Sequence, residues 1–226
     1  VLAVERALAR SLPEGREQAF IEHAQRIAAA RFPNLLNGDY TAIIDQRQYD
    51  RLQAMLQDAQ AQGATLIPLL PGQAGDAARR ILPPVLVLNA TPAMQVLQRE
   101  IFGPILPILT YRSHEEVVQY INARQHPLAL YIYSHDKAVQ DFYLHHTLSG
   151  GVSINDSLIH TGLHNLPFGG VGHSGMGHYH GYEGFLTFSK LRPAFQQSRW
   201  RTVDLLMPPY GKRAYQLLKF MFWRNR

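Results

Sequence analysis

The chain has 226 residues, 46% hydrophobic and 17% charged, which is enough apolar material for one large globular domain or one and a half. It contains no cysteine, which excludes disulfides, thiolate metal sites and any thiol nucleophile within these residues. The formal charge of +5 raises the question of nucleic acid, but Lys212, Arg213, Lys219, Arg224 and Arg226 fall in an acid-free tail, so no nucleic-acid face is expected.

Val1 already stands inside an apolar-periodic segment with no methionine before it, as an excised fragment would begin. Residues 14–30 predict an amphipathic helix with Phe20, Ala24, Ile27 and Ala28 on one face, ended by Arg31-Phe32-Pro33. "YTAIID" (40–45) reads as a short strand, and 46–62 as a helix in which Tyr49, Leu52, Met55 and Leu56 recur, closed by Gly63. After "TLIPLL" (65–70) and a flexible Pro/Gly/Ala connection comes the strand-like "ILPPVLVLNA" (81–90).

"PILPILTY" (104–111) is a continuous apolar run of the kind a parallel sheet buries on both faces. Ser113 and Glu116 then form an S-x-x-E capping box before a helix striped by Val117, Val118 and Ile121. The pattern repeats with a strand at 128–134, a helix at 136–144, a stop at Gly150-Gly151 and a strand at 152–156. Strand and helix alternating at this spacing mean right-handed crossovers, so the fold class is α/β with a parallel, doubly wound sheet. "FLTFSKLRPAF" (185–195) alternates like a strand with one solvated side, or one that pairs outside the main sheet. Residues 211–226 predict a helix with Ala214, Leu217, Leu218, Met221 and Phe222 on one face and Lys212, Lys219 and Arg226 opposite.

Three stretches invite a chemical reading. Gly170, Gly172 and Gly175 fit the spacing G-x-G-x-x-G, but the strand, the helix and the acid about 20 residues on that a dinucleotide fingerprint needs are not evident. His173, His178 and His180 crowd the same loop without a metal-binding spacing, so no metal is expected, and "GHSGM" around Ser174 misses the nucleophile elbow by one residue. In "QREIFGPILPI" (98–108) a glutamate, an aromatic and Gly-Pro directly precede a buried strand, a place where α/β folds bind ligands. Without further information Glu100 reads as a solvated loop acid and Phe102 as a core anchor.

"EIFGPILPI" (100–108), "LALYIYS" (128–134), "SGGVSIND" (149–156) and "LPFGGVGHSGMGHYHGYEGFLTFSK" (166–190) together resemble the C-terminal half of the catalytic region of NAD(P)-dependent aldehyde dehydrogenases. The SGMGxYHG form is similar to class 3, which includes the fatty and aromatic aldehyde enzymes and the bacterial coniferyl aldehyde dehydrogenases. The resemblance implies that Glu100 bonds the nicotinamide-ribose hydroxyls of NAD or NADP, that Phe102 packs beside that ribose, and that Leu158, Thr161 and Phe168 lie near the aldehyde tunnel. It also implies a homodimer in which 183–197 extends the partner's sheet, with 1–182 a partial catalytic domain and 198–226 a basic amphipathic tail.

The family's chemistry uses a cysteine thiolate and a hydride transfer to NAD(P), and the resemblance puts that cysteine roughly half a dozen residues before Val1. The expectation is therefore a cytoplasmic C-terminal piece of an enzyme oxidising coniferyl or similar aryl-propenal aldehydes, inactive alone. Two further readings stay open. One is a fatty-aldehyde enzyme whose tail touches an anionic membrane surface. The other is a non-catalytic assembly protein on the same fold.

Overall fold

The computed structural model describes residues 2–4, 9–199, 207–208 and 210–223. Its strands are β1 (Leu2–Val4), β2 (Ala9–Pro13), β3 (Thr65–Pro68), β4 (Val85–Leu88), β5 (Ile105–Tyr111), β6 (Ala129–Ile132) and β7 (Gly151–Ile154). They form one seven-stranded sheet in the order β3-β4-β5-β2-β1-β6-β7. β4, β5, β2, β6 and β7 run one way, while β3 lies antiparallel at the edge and β1 antiparallel between β2 and β6. The α/β class expected from the alternation is the one observed, with a mostly parallel sheet. The expected neighbours β5 and β6 are parted by the β1–β2 pair, whose register runs Leu2 opposite Ser11.

The helices of the first compact unit, residues 1–188, are α1 (Glu17–Arg31), α2 (Gln46–Ala61), α3 (Gln95–Gln98), α4 (His114–Asn122), α5 (Lys137–His146) and α6 (Gly181–Thr187). Caps set their starts. Asp45 accepts from the Gln48 amide at 2.7 Å, and Asp136 from the Ala138 amide at 2.8 Å. Ser113 accepts from the Glu116 amide at 3.3 Å, while the Glu116 carboxylate reaches back one residue further than expected, to the Arg112 amide at 2.9 Å. In α2 the predicted stripe of Tyr49, Leu52, Met55 and Leu56 is buried and extends to Ala59. α1 begins later than predicted, and its buried residues are Ile21 and Ala28, while Ile27 of the predicted face is 55% exposed.

Leu86, Ile108, Leu12 and Ile21 form the core under α1, and Ile105, Val87, Leu52, Met55 and Leu97 form the core under α2. Val117, Ile121, Leu130, Ile132 and Tyr143 close a third cluster under α4 and α5, where the Tyr143 hydroxyl meets His114 Nδ1 at 2.7 Å. Burial pushes the Tyr143 phenol well above its ordinary range.

Two predicted strands are absent. Residues 40–45 form a loop tied to the 76–81 turn, with the Ile43 amide donating to the Arg80 carbonyl at 2.9 Å and Arg80 Nε to the Ile43 carbonyl at 2.9 Å. A strand needs a ladder, and one residue's exchange is not one. The strand expected over 185–195 is likewise not formed. Phe185, Leu186 and Thr187 end helix α6, where the Thr187 hydroxyl bonds the Glu183 and His178 carbonyls, and 188–195 pair with no strand among the described residues. Alternation alone supplies no partner backbone.

The second unit, residues 189–226, contains α7 (Lys212–Trp223), the helix expected in the tail. Ala214 is buried, whereas Leu218, Phe222 and Trp223 are exposed. Arg226 of the predicted basic flank lies outside the described residues.

The loop holding 40–45 carries a pH-sensitive contact. The Tyr40 hydroxyl donates to the Leu82 carbonyl at 2.8 Å, and burial pushes its pKa up to about 12. A phenol raised above its unfolded value of about 10 stabilises the fold fully below that value and loses its contribution as pH rises through the folded value. Tyr40→Phe is expected to cost about 1 kcal/mol at neutral pH and to reduce the alkaline loss of stability, read by urea unfolding across that window.

Candidate functional site

The loop between α3 and β5 is fastened from below and open above. Ile101 is buried, and Gly103 lies so close to α2 that a Cβ there would meet the Leu52 side chain at 2.5 Å. Arg51, also on α2, donates from Nη1 to the Glu100 carbonyl at 3.0 Å and from Nη2 to the Ile101 carbonyl at 2.6 Å. Its Nε donates to Gln48 Oε1 at 2.6 Å, and Gln48 is in turn the residue whose amide Asp45 caps. This chain of contacts orients the fork of a guanidinium against two carbonyls, a geometry lysine cannot reproduce.

Phe102 is not the core anchor that composition favours. It is 82% exposed and holds φ at 47°, a left-handed conformation unfavourable for a bulky side chain. The Glu100 side chain is exposed and its carboxylate makes no hydrogen bond or ion pair among the described residues. An aromatic kept out of the core at a strained φ, beside a carboxylate without a partner, is an arrangement that folding alone does not explain, and such strain concentrates at ligand sites. Both residues line an open cleft of about 740 Å³ together with Thr41, Asp45, Gln48 and Arg51.

Leu158, Thr161 and Phe168 stand elsewhere, and none of them lines that cleft. Leu158 is 59% exposed at φ 68° and opens a 3-10 turn, Ile159–Gly162, where the Thr161 hydroxyl donates to the Leu158 carbonyl at 2.7 Å. Phe168 exchanges both backbone hydrogen bonds with Tyr179, each at 2.9 Å. Its ring lies 5.4 Å from that of Tyr179 and 6.2 Å from those of both His180 and His160. His160, in the turn that holds Thr161, thereby links that turn to Phe168 and its ring-rich wall.

The glycines of this wall serve packing. A Cβ on Gly169 would strike the Gly177 carbonyl, and one on Gly170 the Ser174 carbonyl. Gly172–Ser174 is a 3-10 turn with no strand before it, so the G-x-G-x-x-G spacing is not a phosphate cradle. Among the described residues no group of three His, Asp or Glu side chains is placed to hold a metal ion. Sequence reasoning missed Arg51, Gln48 and His160. The spacing Asp45-x-x-Gln48-x-x-Arg51 along one face of a helix start was the signal available for the first two.

Comparison with known proteins follows this geometry. A family model described as "Aldehyde dehydrogenase family" matches residues 9–193. The chain is 46% identical over 214 residues to a "Probable coniferyl aldehyde dehydrogenase" of Pseudomonas aeruginosa, covering 94% of this chain and 44% of that protein. It is 44% identical over 214 residues to the "Coniferyl aldehyde dehydrogenase" of Pseudomonas sp. strain HR199, covering 93% and 44%. Among solved structures, one described as "Substrate bound state of Staphylococcus Aureus AldH" superimposes with a TM-score of 0.80 at 33% identity, covering 95% of this chain and 46% of that one. The chain thus spans less than half the length of each of these three relatives.

Proposed function

The chain belongs to the aldehyde dehydrogenase family, and on that premise we propose that it supplies the nicotinamide-ribose contacts and one wall of the aldehyde site in an enzyme oxidising coniferyl or similar aryl-propenal aldehydes. The observation that carries this reading is the unpartnered Glu100 carboxylate beside the strained, exposed Phe102. The cleft fits the cofactor. Glu100 offers two acceptor oxygens to a pair of ribose hydroxyls, Phe102 offers an apolar face, and Arg51 holds the backbone that presents both.

When bound, NAD(P) supplies the hydride acceptor. Leu158, Thr161 and Phe168 form the apolar side of the substrate path, and the rings of Phe168, Tyr179 and His180 favour an aryl body over a flexible alkyl chain. The chain has no cysteine, so the thiolate that attacks the aldehyde in this family is not among these residues.

The test is an assay of the chain alone and as a chimera joined to the complementary portion of the P. aeruginosa relative, following NAD reduction with coniferaldehyde and with hexanal. The chimera is expected to turn over, with kcat/KM at least about tenfold higher for coniferaldehyde, and the chain alone to be inert. A folded chimera inactive with both aldehydes would favour the non-catalytic assembly reading. A preference for hexanal would favour the fatty-aldehyde reading.

That second reading rests on α7, which exposes Phe222 and Trp223 on a helix that also carries Lys212, Arg213 and Lys219. No helix among the described residues is long and apolar enough to cross a membrane. Liposome co-sedimentation with and without residues 211–226 distinguishes a membrane-binding tail from one that packs on protein.

A further inference from the structure

β2 and β5 are neighbours in the sheet, but the chain leaves them in opposite directions. After β2 it passes through α1 and α2 to the β3 edge, and after β5 it passes through α4 to the β6 and β7 edge. In open α/β sheets such a reversal leaves a crevice at the carboxyl ends of the two strands, where ligands bind. That place holds a cavity of about 530 Å³, lined by Ser11 of β2, Leu109 and Tyr111 of β5, Glu17 in the first turn of α1, and Glu116 and Tyr120 of α4. It lies at the far end of β5 from Glu100 and Phe102, about 20 Å away along the strand. The cavity is therefore separate from the cofactor cleft, and its volume is in the range of small-molecule sites.

The charges of the lining select the ligand. Two carboxylates face the space, and among the described residues no Lys, Arg or His lines it. Glu17 makes no hydrogen bond or ion pair among the described residues, and Glu116 commits one oxygen to the Arg112 amide. Two basic neighbours of the lining residues are already engaged. Arg112 pairs with Glu14 at 2.9 Å, and Arg124 donates to the Tyr120 carbonyl at 2.9 Å while its guanidinium lies 3.5 Å from the centre of the Tyr120 ring. That last contact is a cation already settled on one of the cavity's own aromatic walls. A phosphate or carboxylate ligand would meet like charge here, whereas a cation would meet two opposite charges and aromatic faces.

We propose that this cavity binds a small organic cation, a primary ammonium carried on an apolar or aromatic body. The ammonium has three donors for the oxygens of Glu17, Glu116 and the neutral Ser11 and Thr110, and its body has Leu109, Val117 and the tyrosine rings to bury against.

Isothermal titration of the 226-residue chain with phenethylammonium, phenethyl alcohol and inorganic phosphate tests this. Phenethylammonium is expected to bind saturably at one site, the uncharged alcohol at least about tenfold more weakly, and phosphate not at all. Glu17→Gln should weaken phenethylammonium about tenfold. Ala90 also lines the cavity, and Ala90→Trp, which fills it, should abolish binding while the melting curve stays cooperative. Glu100→Gln should leave the affinity unchanged, because the cofactor cleft is a different site. Absence of saturable binding, equal affinity for amine and alcohol, indifference to Glu17→Gln, or loss on Glu100→Gln would each overturn the proposal.

Discussion

Gly170→Ala is expected to lower the melting temperature of the chain by roughly 6–12 °C, the shift that corresponds to about 3 kcal/mol in a protein of this size. The added Cβ would strike the Ser174 carbonyl and approach the Gly175 amide nitrogen to 2.6 Å. Both obstacles are backbone, which cannot swing aside as a side chain can, so the 170–175 turn would have to open. Gly172 provides the contrast within the same turn. It holds φ at +62° with nothing within 4 Å of its would-be Cβ, so Gly172→Ala should cost only about 1 kcal/mol of backbone strain. Thermal melts of the two variants separate the causes. A large loss at Gly170 and a small one at Gly172 mean that close backbone packing holds the wall, and equal losses mean that conformational freedom alone explains the glycines.

Arg51→Met should destabilise the chain by about 2 kcal/mol and loosen the loop that presents Glu100 and Phe102. The substitution keeps the apolar stem of the side chain and removes two charge-assisted bonds to carbonyls, at 3.0 and 2.6 Å, leaving those acceptors to water. Arg51→Lys restores the charge with a single point donor that cannot span both carbonyls, so it should recover less than half of the loss. Urea unfolding gives the stability. Hydrogen exchange at the amides of 101–103 gives the loop, where exchange about tenfold faster in Arg51→Met is the expected local result.

Much of the core was legible because it is written locally. The apolar run at 104–111, the serine cap at 113 and the α2 stripe each carry their own period, and each appears where that period places it. What escaped depends on partners distant in sequence. The stretches 40–45 and 185–195 both read as strands in the sequence, but no strand among the described residues pairs with either. The β1–β2 pair separates β5 from β6 because of long-range registers that no local pattern encodes. The same holds at the candidate site. Phe102 reads as a core residue because its φ is invisible in the sequence, and Arg51 reaches carbonyls some fifty residues away. The family motifs drew attention to Glu100 and Phe102, while the residue that fixes them in place emerged only from the fold.

The central claim is that Glu100 and Phe102 meet the cofactor's nicotinamide ribose, and one measurement bears on it directly. The dissociation constant for NAD is compared between the chimera and its Glu100→Gln variant by quenching of intrinsic fluorescence. Loss of a charge-assisted hydrogen bond to the ribose predicts binding about ten- to a hundredfold weaker, with the melting temperature of the unliganded protein unchanged because the carboxylate has no partner within the described chain. An unchanged dissociation constant in the folded variant would contradict the assignment and leave the strained Phe102 loop without its proposed ligand.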